Sequence, residues 1–364
     1  MKEKRVIISG GGTGGHVYPA LVLGQKLKEK APDLQLTFVG SRREAEKKIM
    51  EHYGVRFIPM KIEGLRGKGW KSGKSLPLLP SSFIKSLAIL ARTKPHLAVG
   101  VGGFSSGPIV LLASAMKIPT LILEQNLKPG FTNRMLLPWA KKAVVAFQNS
   151  LPYFRGKGVF IGNPVREEFY ALAPKARTSR LTLLIFGGSQ GSHFLNQAVV
   201  HTLPFLQKEK DHLHIFHQTG PKDLEEVKNG YKQNGFTEAV IAPYFHNMSH
   251  YFQQSDLIIC RAGATTCAEL IASQKASILI PFARAADNHQ ALNARELEKV
   301  KGAEVLLEAE FSPQILVEKI LSLMRNKDRI TQMEKNLGAL KTEKVADQIA
   351  SLCLTLMRSD NEEE

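Results

Sequence analysis

Four strand-to-helix turns and the polar residues beside them hold most of the chemistry this chain could perform. Gly10-Gly11-Gly12-Thr13-Gly14-Gly15-His16 follows an apolar, β-branched run and satisfies G-x-G-x-x-G through Gly10, Gly12 and Gly15. Glycines so spaced let backbone approach a ligand and turn amides at a helix start toward an anion. Thr13, Gly14 and Gly15 are therefore candidate ligand contacts. His16 stands just beyond them, where an imidazole suits general-base work; the plainer alternative is a helix cap. Val99–Pro108 is a second glycine-rich turn, whose Gly102 and Gly103 allow close approach of a bulky partner. Gly187-Gly188-Ser189-Gln190-Gly191-Ser192 is of the phosphate-cradling type, with small residues, a hydroxyl donor and a following helix dipole. It lacks the lysine of a P-loop. Arg261–Glu269 is the fourth such turn, and Glu269 could accept both hydroxyls of a ribose or pair with Arg261.

Two polar runs lie where strands end. Glu124-Gln125-Asn126, with Asn133 in the next segment, could bind sugar hydroxyls or an acetamido group, or form a local turn. Asp287-Asn288-His289-Gln290 is dense in paired donors and acceptors, as sugar recognition demands. No Asp-x-Asp metal site, nucleophile elbow or kinase set is present, and no metal ligand set is predicted. A dinucleotide site also wants an acidic residue ending the second strand. Here that strand ends Gly40-Ser41-Arg42-Arg43, which disfavours NAD and leaves NADP through Arg42 open.

The elements that must position these residues alternate. Strands are predicted at Arg5–Ser9, Leu36–Gly40, Leu97–Gly100, Thr120–Leu123 and Ala143–Ala146. The pattern restarts at Leu181–Phe186 and continues at Leu213–Thr219, Ala239–Ala242, Leu257–Cys260 and Ser277–Pro281. Helical stretches separate them, among them Pro19–Lys30 and Arg43–His52. Alternating β and α units imply parallel sheets covered by helices. The restart implies an α/β chain of two Rossmann-like domains facing a cleft, with a linker near Ile161–Glu167. The expected division is 1–162, 163–340 and a C-terminal helix over 341–364 that packs back on the first domain and ends in an acidic tail.

With 364 residues, 43% hydrophobic and 23% charged, the chain is an ordinary folded protein with room for two domains. Cys260, Cys267 and Cys353 lack the short paired spacing of a zinc or disulfide framework, and a reduced compartment suits them. The net charge of +16 is uneven: residues 1–160 hold 26 Lys/Arg against 8 Asp/Glu, and the remainder is near neutral. Lys61–Lys94 alone carries eight basic residues against Glu63. Among them stand Trp70, Leu76, Leu79 and Phe83, with Lys71 and Lys74 between; cations around aromatic and leucine side chains suit an anionic membrane surface. The longest strongly apolar run, Ile109–Met116, is too short to span a bilayer, so a membrane contact would be peripheral. No nucleic-acid partner is expected.

The runs GGTGGHVYPA, GVGGFSSGP, EQN, GNPVR, GGSQGS, CRAGATTCAE and PFARAADNHQALNA occur in the order and spacing of the MurG family. Over essentially its whole length the chain resembles these N-acetylglucosaminyltransferases of peptidoglycan synthesis. The resemblance implies a glycosyltransferase B-type fold. It also implies transfer of N-acetylglucosamine from UDP-N-acetylglucosamine to the C4 hydroxyl of undecaprenyl-pyrophosphoryl-N-acetylmuramyl-pentapeptide, with inversion. By resemblance Ser189, Gln190 and Gly191 hold the diphosphate and the backbone at Phe245 reads the uracil. Glu269 takes the ribose diol, with Arg261 beside it. His289 and Gln290 bind the sugar hydroxyls, Asn126 the acetamido side, and Arg166 reaches the diphosphate. Gly102, Gly103 and Asn133 fall to the acceptor. His16 is the preferred base and Glu124 the alternate. No cofactor is implied: amides at a helix start meet the charge of the departing UDP without metal. The implied location is the cytoplasmic face of the membrane, with other cell-wall synthesis proteins as partners. A related transferase acting on another glycolipid, or an NADP oxidoreductase, are the rival readings.

Overall fold

The computed structural model describes residues 4–11, 14–60, 78–173, 175–176 and 178–359. The chain divides into two compact units, Met1–Val165 with Thr342–Glu364, and Arg166–Lys341.

In the first unit the chain runs β1 (Arg5–Ser9), α1 (Gly14–Lys30), β2 (Gln35–Ser41), α2 (Glu44–His52), β3 (Phe57–Met60), α3 (Leu78–Thr93), β4 (Leu97–Gly100), α4 (Ser106–Ala115), β5 (Thr120–Glu124), α5 (Phe131–Leu136), β6 (Lys142–Val145) and β7 (Gly158–Phe160). The strands form one parallel sheet in the order β3-β2-β1-β4-β5-β6-β7. Successive side chains leave a strand on opposite faces, and each face buries its own cluster. Val6, Ile8, Leu97, Val99, Leu121 and Leu123 pack with α1 on one face. Ile7 and Ala98 pack against α3 and α4, and Ile122 and Val145 against α4 and α5, on the other.

In the second unit follow α6 (Glu167–Tyr170), β8 (Leu181–Phe186), α7 (His193–Leu206), β9 (Leu213–Gln218), α8 (Leu224–Gln233), β10 (Val240–Ala242), α9 (Met248–Gln254), β11 (Leu257–Cys260), α10 (Ala264–Ser273), β12 (Ser277–Leu279), α11 (His289–Lys299), β13 (Ala303–Val305), α12 (Pro313–Arg325) and α13 (Lys327–Leu337). Its sheet, also parallel, has the order β10-β9-β8-β11-β12-β13. Leu183, Ile185, Ile215 and Ile259 bury one face against α7, α8, α12 and α13. On another side Phe252 of α9 meets Phe186 and Phe169 at 5.8 and 5.0 Å between ring centroids.

The chain then returns to the first unit. α14 (Val345–Ser359) seats Val345, Ile349, Cys353 and Leu356 in the cluster that holds Leu23 and Leu27 of α1. Lys30 and Lys26 of α1 reach Asp347 at 3.0 and 3.6 Å. The acidic tail, Asp360–Glu364, lies outside the described residues.

Three short strands, β3, β7 and β13, were not expected from the sequence. Each has only three or four residues, and Pro59 in β3, Gly158 in β7 and Glu304 in β13 interrupt the apolar pattern, so pairing with a neighbouring strand decides them. Cys260, Cys267 and Cys353 are buried core residues, and burial pushes the Cys267 and Cys353 thiols up to about 12. Such thiols are unreactive near neutral pH.

Candidate active site

In parallel α/β sheets, ligands bind beyond the carboxyl ends of the strands. In the second unit, the ends of four adjacent strands, β9, β8, β11 and β12, carry Gln218, the turn 187–192, Arg261–Glu269 and the run 282–290. Ser189 and Gln190 are exposed at the tip of their turn, which Gly191 N–H closes on the Gly188 carbonyl at 3.1 Å. Gly191 takes φ +74, and a Cβ there would overlap the Thr219 carbonyl. Ser192 caps α7, its hydroxyl accepting from Leu195 N–H. The amides and the helix dipole thus present a positive surface to an anion.

Glu269 lies midway along α10, buried, with Arg166 Nη2 3.4 Å from its Oε1. Arg166 Nη1 is 3.1 Å from Glu168, and its guanidinium stacks 4.9 Å above the Phe169 ring. Burial pushes the Glu269 carboxyl up to about 7, against the pull of Arg166. Arg166, expected at the diphosphate, pairs here with Glu269 and Glu168.

Arg261, expected beside Glu269, is turned elsewhere. Its Nε donates to Ser192 Oγ at 2.9 Å, and its Nη1 donates to the Ile280 and Pro281 carbonyls and pairs with Glu308. It clamps the cap of α7 to the end of β12 from beneath. His289 Nδ1 meets the Ala286 carbonyl at 2.7 Å, and so carries the hydrogen. Gln290 Oε1 accepts from Phe282 N–H at 3.0 Å. Two successive left-handed residues, Asp287 and Asn288, make the turn that starts α11 there. Phe245 is buried, its ring stacked on Tyr251 at 3.8 Å.

The first unit holds the other expected residues. His16 is in the first turn of α1 and half-buried. A Cβ added at Gly102 (φ +87) would stand 2.8 Å from the His16 ring and 3.5 Å from Gln125 Oε1, so this glycine makes room for the imidazole. Gly103, at φ +77, follows in the same turn. Gln125 is itself fixed by donating to the Val101 carbonyl at 2.9 Å.

Glu124 is buried, and four donors surround its carboxyl. Oε1 accepts from Asn126 N–H and Nδ2, and Oε2 accepts from Gly130 N–H and Asn133 Nδ2, at 2.9–3.2 Å. Burial pushes it up, against the pull of these hydrogen bonds. It braces the loop between β5 and α5, so to take a proton it would have to give up one of these bonds. Asn133, expected at the acceptor, is buried in that brace and also donates to the Leu123 carbonyl. Asn126 borders it.

Thr13, Trp70, Lys71, Lys74 and Leu76 lie outside the described residues, and of Gly14 and Leu79 only the backbone is described. Phe83 is half-buried; its neighbours Ile84 and Leu87, 69% and 49% exposed, point outward instead.

Sequence reasoning passed over three residues. Glu46 of α2 is buried against Gly11 and Gly40 and accepts from Ser41 N–H at 3.2 Å. A carboxyl behind the first glycine turn opposes a diphosphate there, which weighs against a dinucleotide. Asn196 and Gln218 are buried polar residues around the second-unit turn. Two buried polar residues in a row, His217-Gln218, at the end of an apolar strand were the available signal.

Two parallel α/β units, one with an exposed glycine turn and a buried carboxylate after adjacent strands, suit a protein that handles a nucleotide-activated sugar. The N-terminal domain of glycosyltransferase family 28 matches residues 6–145, and the C-terminal domain of that family matches residues 182–350. The chain belongs to this family. It is 41% identical over 357 residues to the UDP-N-acetylglucosamine–N-acetylmuramyl-(pentapeptide) pyrophosphoryl-undecaprenol N-acetylglucosamine transferase of Myxococcus xanthus, covering 97% of this chain and 93% of that one. The enzyme of the same name from Desulfotalea psychrophila is 39% identical and covers 99% and 98% of the two chains. A crystal structure of Acinetobacter baumannii MurG superposes with TM-score 0.80 at 26% identity, covering 97% of this chain and 99% of that one. A UDP complex of Staphylococcus aureus MnaA shares the fold at TM-score 0.69 and 13% identity, over 97% of each chain. The chain is thus a family 28 glycosyltransferase of the B-type fold, and the oxidoreductase reading falls.

Proposed function

We propose that this chain transfers N-acetylglucosamine from UDP-N-acetylglucosamine to the C4 hydroxyl of undecaprenyl-pyrophosphoryl-N-acetylmuramyl-pentapeptide, the lipid-linked precursor of peptidoglycan. The observation that carries this reading is the donor half of the site. An exposed turn, Ser189-Gln190, precedes α7, and a buried carboxyl, Glu269, stands inside α10, the helices that follow the adjacent strands β8 and β11. Diphosphate on the turn and ribose on Glu269 are two adjoining parts of a UDP. His289 and Gln290 follow β12 and serve the sugar hydroxyls.

Chemically, the acceptor oxygen attacks the anomeric carbon as a base removes its proton, and the bond to UDP breaks with inversion. The amides of Ser189 and Gln190 and the dipole of α7 meet the charge that develops on the diphosphate. His16 serves as the base in preference to Glu124, because four N–H donors already occupy the Glu124 oxygens. The step as written draws on no metal. Among the described residues His193, Asp223 and Glu226 lie close enough to hold one, so a chelator belongs in the assay.

The acceptor is a membrane lipid, and the first unit offers a face for it. α3, α4 and α5 share one side of the sheet. Ile84 and Leu87 on α3, Met116 after α4, and Met135 and Trp139 at and after α5 are exposed there, with Lys85, Lys117, Arg134 and Lys141 close in sequence. Among the described residues no helix is long and apolar enough to cross a bilayer. The enzyme works as a peripheral protein on the cytoplasmic leaflet.

The direct test is transfer of labelled N-acetylglucosamine from UDP onto the lipid-linked muramyl-pentapeptide, with chelator present. Product is expected with and without chelator. No product with folded, UDP-binding protein overturns the acceptor, and loss with chelator alone overturns the metal-free step.

A further inference from the structure

Gln218 ends β9 and is 1% exposed, and neither half of its carboxamide is idle. Its Nε2 donates to the Gly188 carbonyl at 3.0 Å, and its Oε1 accepts from Phe245 N–H at 2.8 Å. One side chain therefore joins the turn 187–192 to the segment Tyr244–Met248. The Gly188 carbonyl already accepts from Gly191 N–H. With that oxygen bonded twice within the protein, the exposed Ser189 and Gln190 are left to meet an anion.

The floor beneath the turn is rigid. Asn196 Nδ2 donates to the Thr219 carbonyl at 2.8 Å and to Asp223 Oδ2 at 2.7 Å. Its Oδ1 therefore faces His217 Nε2, at 3.1 Å, which must carry the hydrogen, and His217 Nδ1 accepts from the Tyr231 hydroxyl at 3.0 Å. Burial pushes His217 down to about 3, so the chain keeps this polarity near neutral pH. Such buried networks hold their geometry because each broken bond leaves an unpaired polar atom.

We propose that Gln218 is a positioning residue for the nucleotide: its carboxamide locks the diphosphate turn to the base-reading segment, so that both ends of UDP meet one preformed surface. This rests on the donor reading given above, in which Ser189–Gly191 hold the diphosphate and Phe245 lies at the uracil. Without the lock, each segment must be ordered when ligand binds, and that ordering costs affinity. The two hydrogen bonds have separable effects. Loss of the Gly188 bond frees the phosphate turn alone. Loss of the Phe245 bond frees the base segment.

The variant Gln218→Glu separates them. Its carboxylate still accepts from Phe245 N–H but sets a lone pair against the Gly188 carbonyl. When protonated, its hydroxyl donates to that carbonyl and the lock is restored. Gln218→Met removes both bonds at similar volume. Dissociation constants for UDP by calorimetry, and for uridine by ligand-observed NMR, are compared with wild type at the same pH, which cancels titration of the ligand. At about pH 9, Gln218→Glu is expected to weaken UDP about tenfold while uridine stays within about twofold. Near about pH 6 the UDP deficit should shrink to about threefold or less as the buried carboxyl takes its proton. Gln218→Met should weaken both ligands with no recovery at low pH.

Wild-type UDP affinity in Gln218→Met overturns the proposal whatever Gln218→Glu does, because a new carboxylate repels a diphosphate without any lock. So does an equal, pH-independent loss of UDP and uridine in Gln218→Glu, which marks general damage; unfolding midpoints without ligand check for it. A folded wild type that binds no UDP overturns the donor reading itself, a result distinct from either.

Discussion

Glu269 combines a buried carboxyl with a task that needs its charge. Its proton is held up to about 7 in the fold, against an ordinary value of 4.5, chiefly by burial. Between those values the folded state binds more proton than the unfolded one, so stability from this group falls as pH rises through the window. The size is on the order of 3 kcal/mol for a shift of this width. In the proposed donor site binding runs the other way, because an ionised carboxylate would accept both ribose hydroxyls. Glu269→Gln is therefore expected to melt above wild type at about pH 8 while binding UDP about tenfold or more weakly. Relative to Glu269→Gln, wild-type UDP affinity should decline as pH is lowered through about 7. A constant ratio across that range in calorimetry would remove Glu269 from the ribose. The two candidate bases separate similarly. His16→Ala should lower turnover by about a hundredfold or more with UDP affinity unchanged. Glu124→Gln points a donor at a cluster of donors and should destabilise the first unit by about 1–3 kcal/mol. Loss of turnover in Glu124→Gln with an unchanged melting curve would reverse the assignment.

Strand ends and the turns after them do the positioning. β4 delivers Gly102 against the His16 ring, β5 delivers Glu124 into its brace, and β9 delivers Gln218 under the phosphate turn. Gly102 has φ +87, a backbone region L residues rarely adopt, and a Cβ there would press on His16 at 2.8 Å. Gly102→Ala is thus expected to cost about 1–3 kcal/mol in denaturant unfolding and to displace the imidazole. Turnover should fall with donor affinity intact, since UDP is assigned to the other unit; a drop in UDP affinity instead would place this turn at the donor. Arg261 shows how an element can take over a residue that spacing assigned to a ligand. It is one of the polar groups after β11, yet its guanidinium ties Ser192 at the cap of α7 to the carbonyls that end β12.

The charge of the whole molecule is concentrated in the unit that would meet lipid. Residues 1–160 hold 26 basic and 8 acidic side chains. On the helices of one sheet face, Ile84, Leu87, Met135 and Trp139 are exposed beside Lys85, Arg134 and Lys141. Each cation near an anionic leaflet contributes about 1 kcal/mol, so several together give reversible attachment without a spanning segment. Vesicle co-sedimentation should require anionic lipid and weaken as salt rises past about 0.15 M, because surface charges are screened over shorter distances. Trp139→Ser with Ile84→Ser should reduce the bound fraction while leaving UDP affinity unaltered. Salt-independent binding to neutral vesicles would show that charge does not direct the docking.

Sequence alone determined the two parallel α/β units, because buried parallel strands need continuous apolar runs and each glycine turn marks a strand end. It also located the turn 187–192, Glu269, His289, Gln290 and His16, since these residue types follow strands in order. Only tertiary structure decided which of the neighbouring polar groups are engaged with the protein itself. Arg261, Glu124 and Asn133 read as ligand contacts in one dimension. Arg261 bonds to Ser192, Ile280 and Pro281, and Glu124 and Asn133 bond to each other within the loop that follows β5. The reverse holds for Gln218, which the sequence marks only as a polar residue ending an apolar strand. Its role exists because β9 pairs with β8 and brings Gly188 and Phe245, 30 and 27 positions distant, within hydrogen-bond reach of one buried amide. Spacing along a chain reports local geometry, whereas the satisfaction of buried polar groups is settled by whatever the fold places beside them.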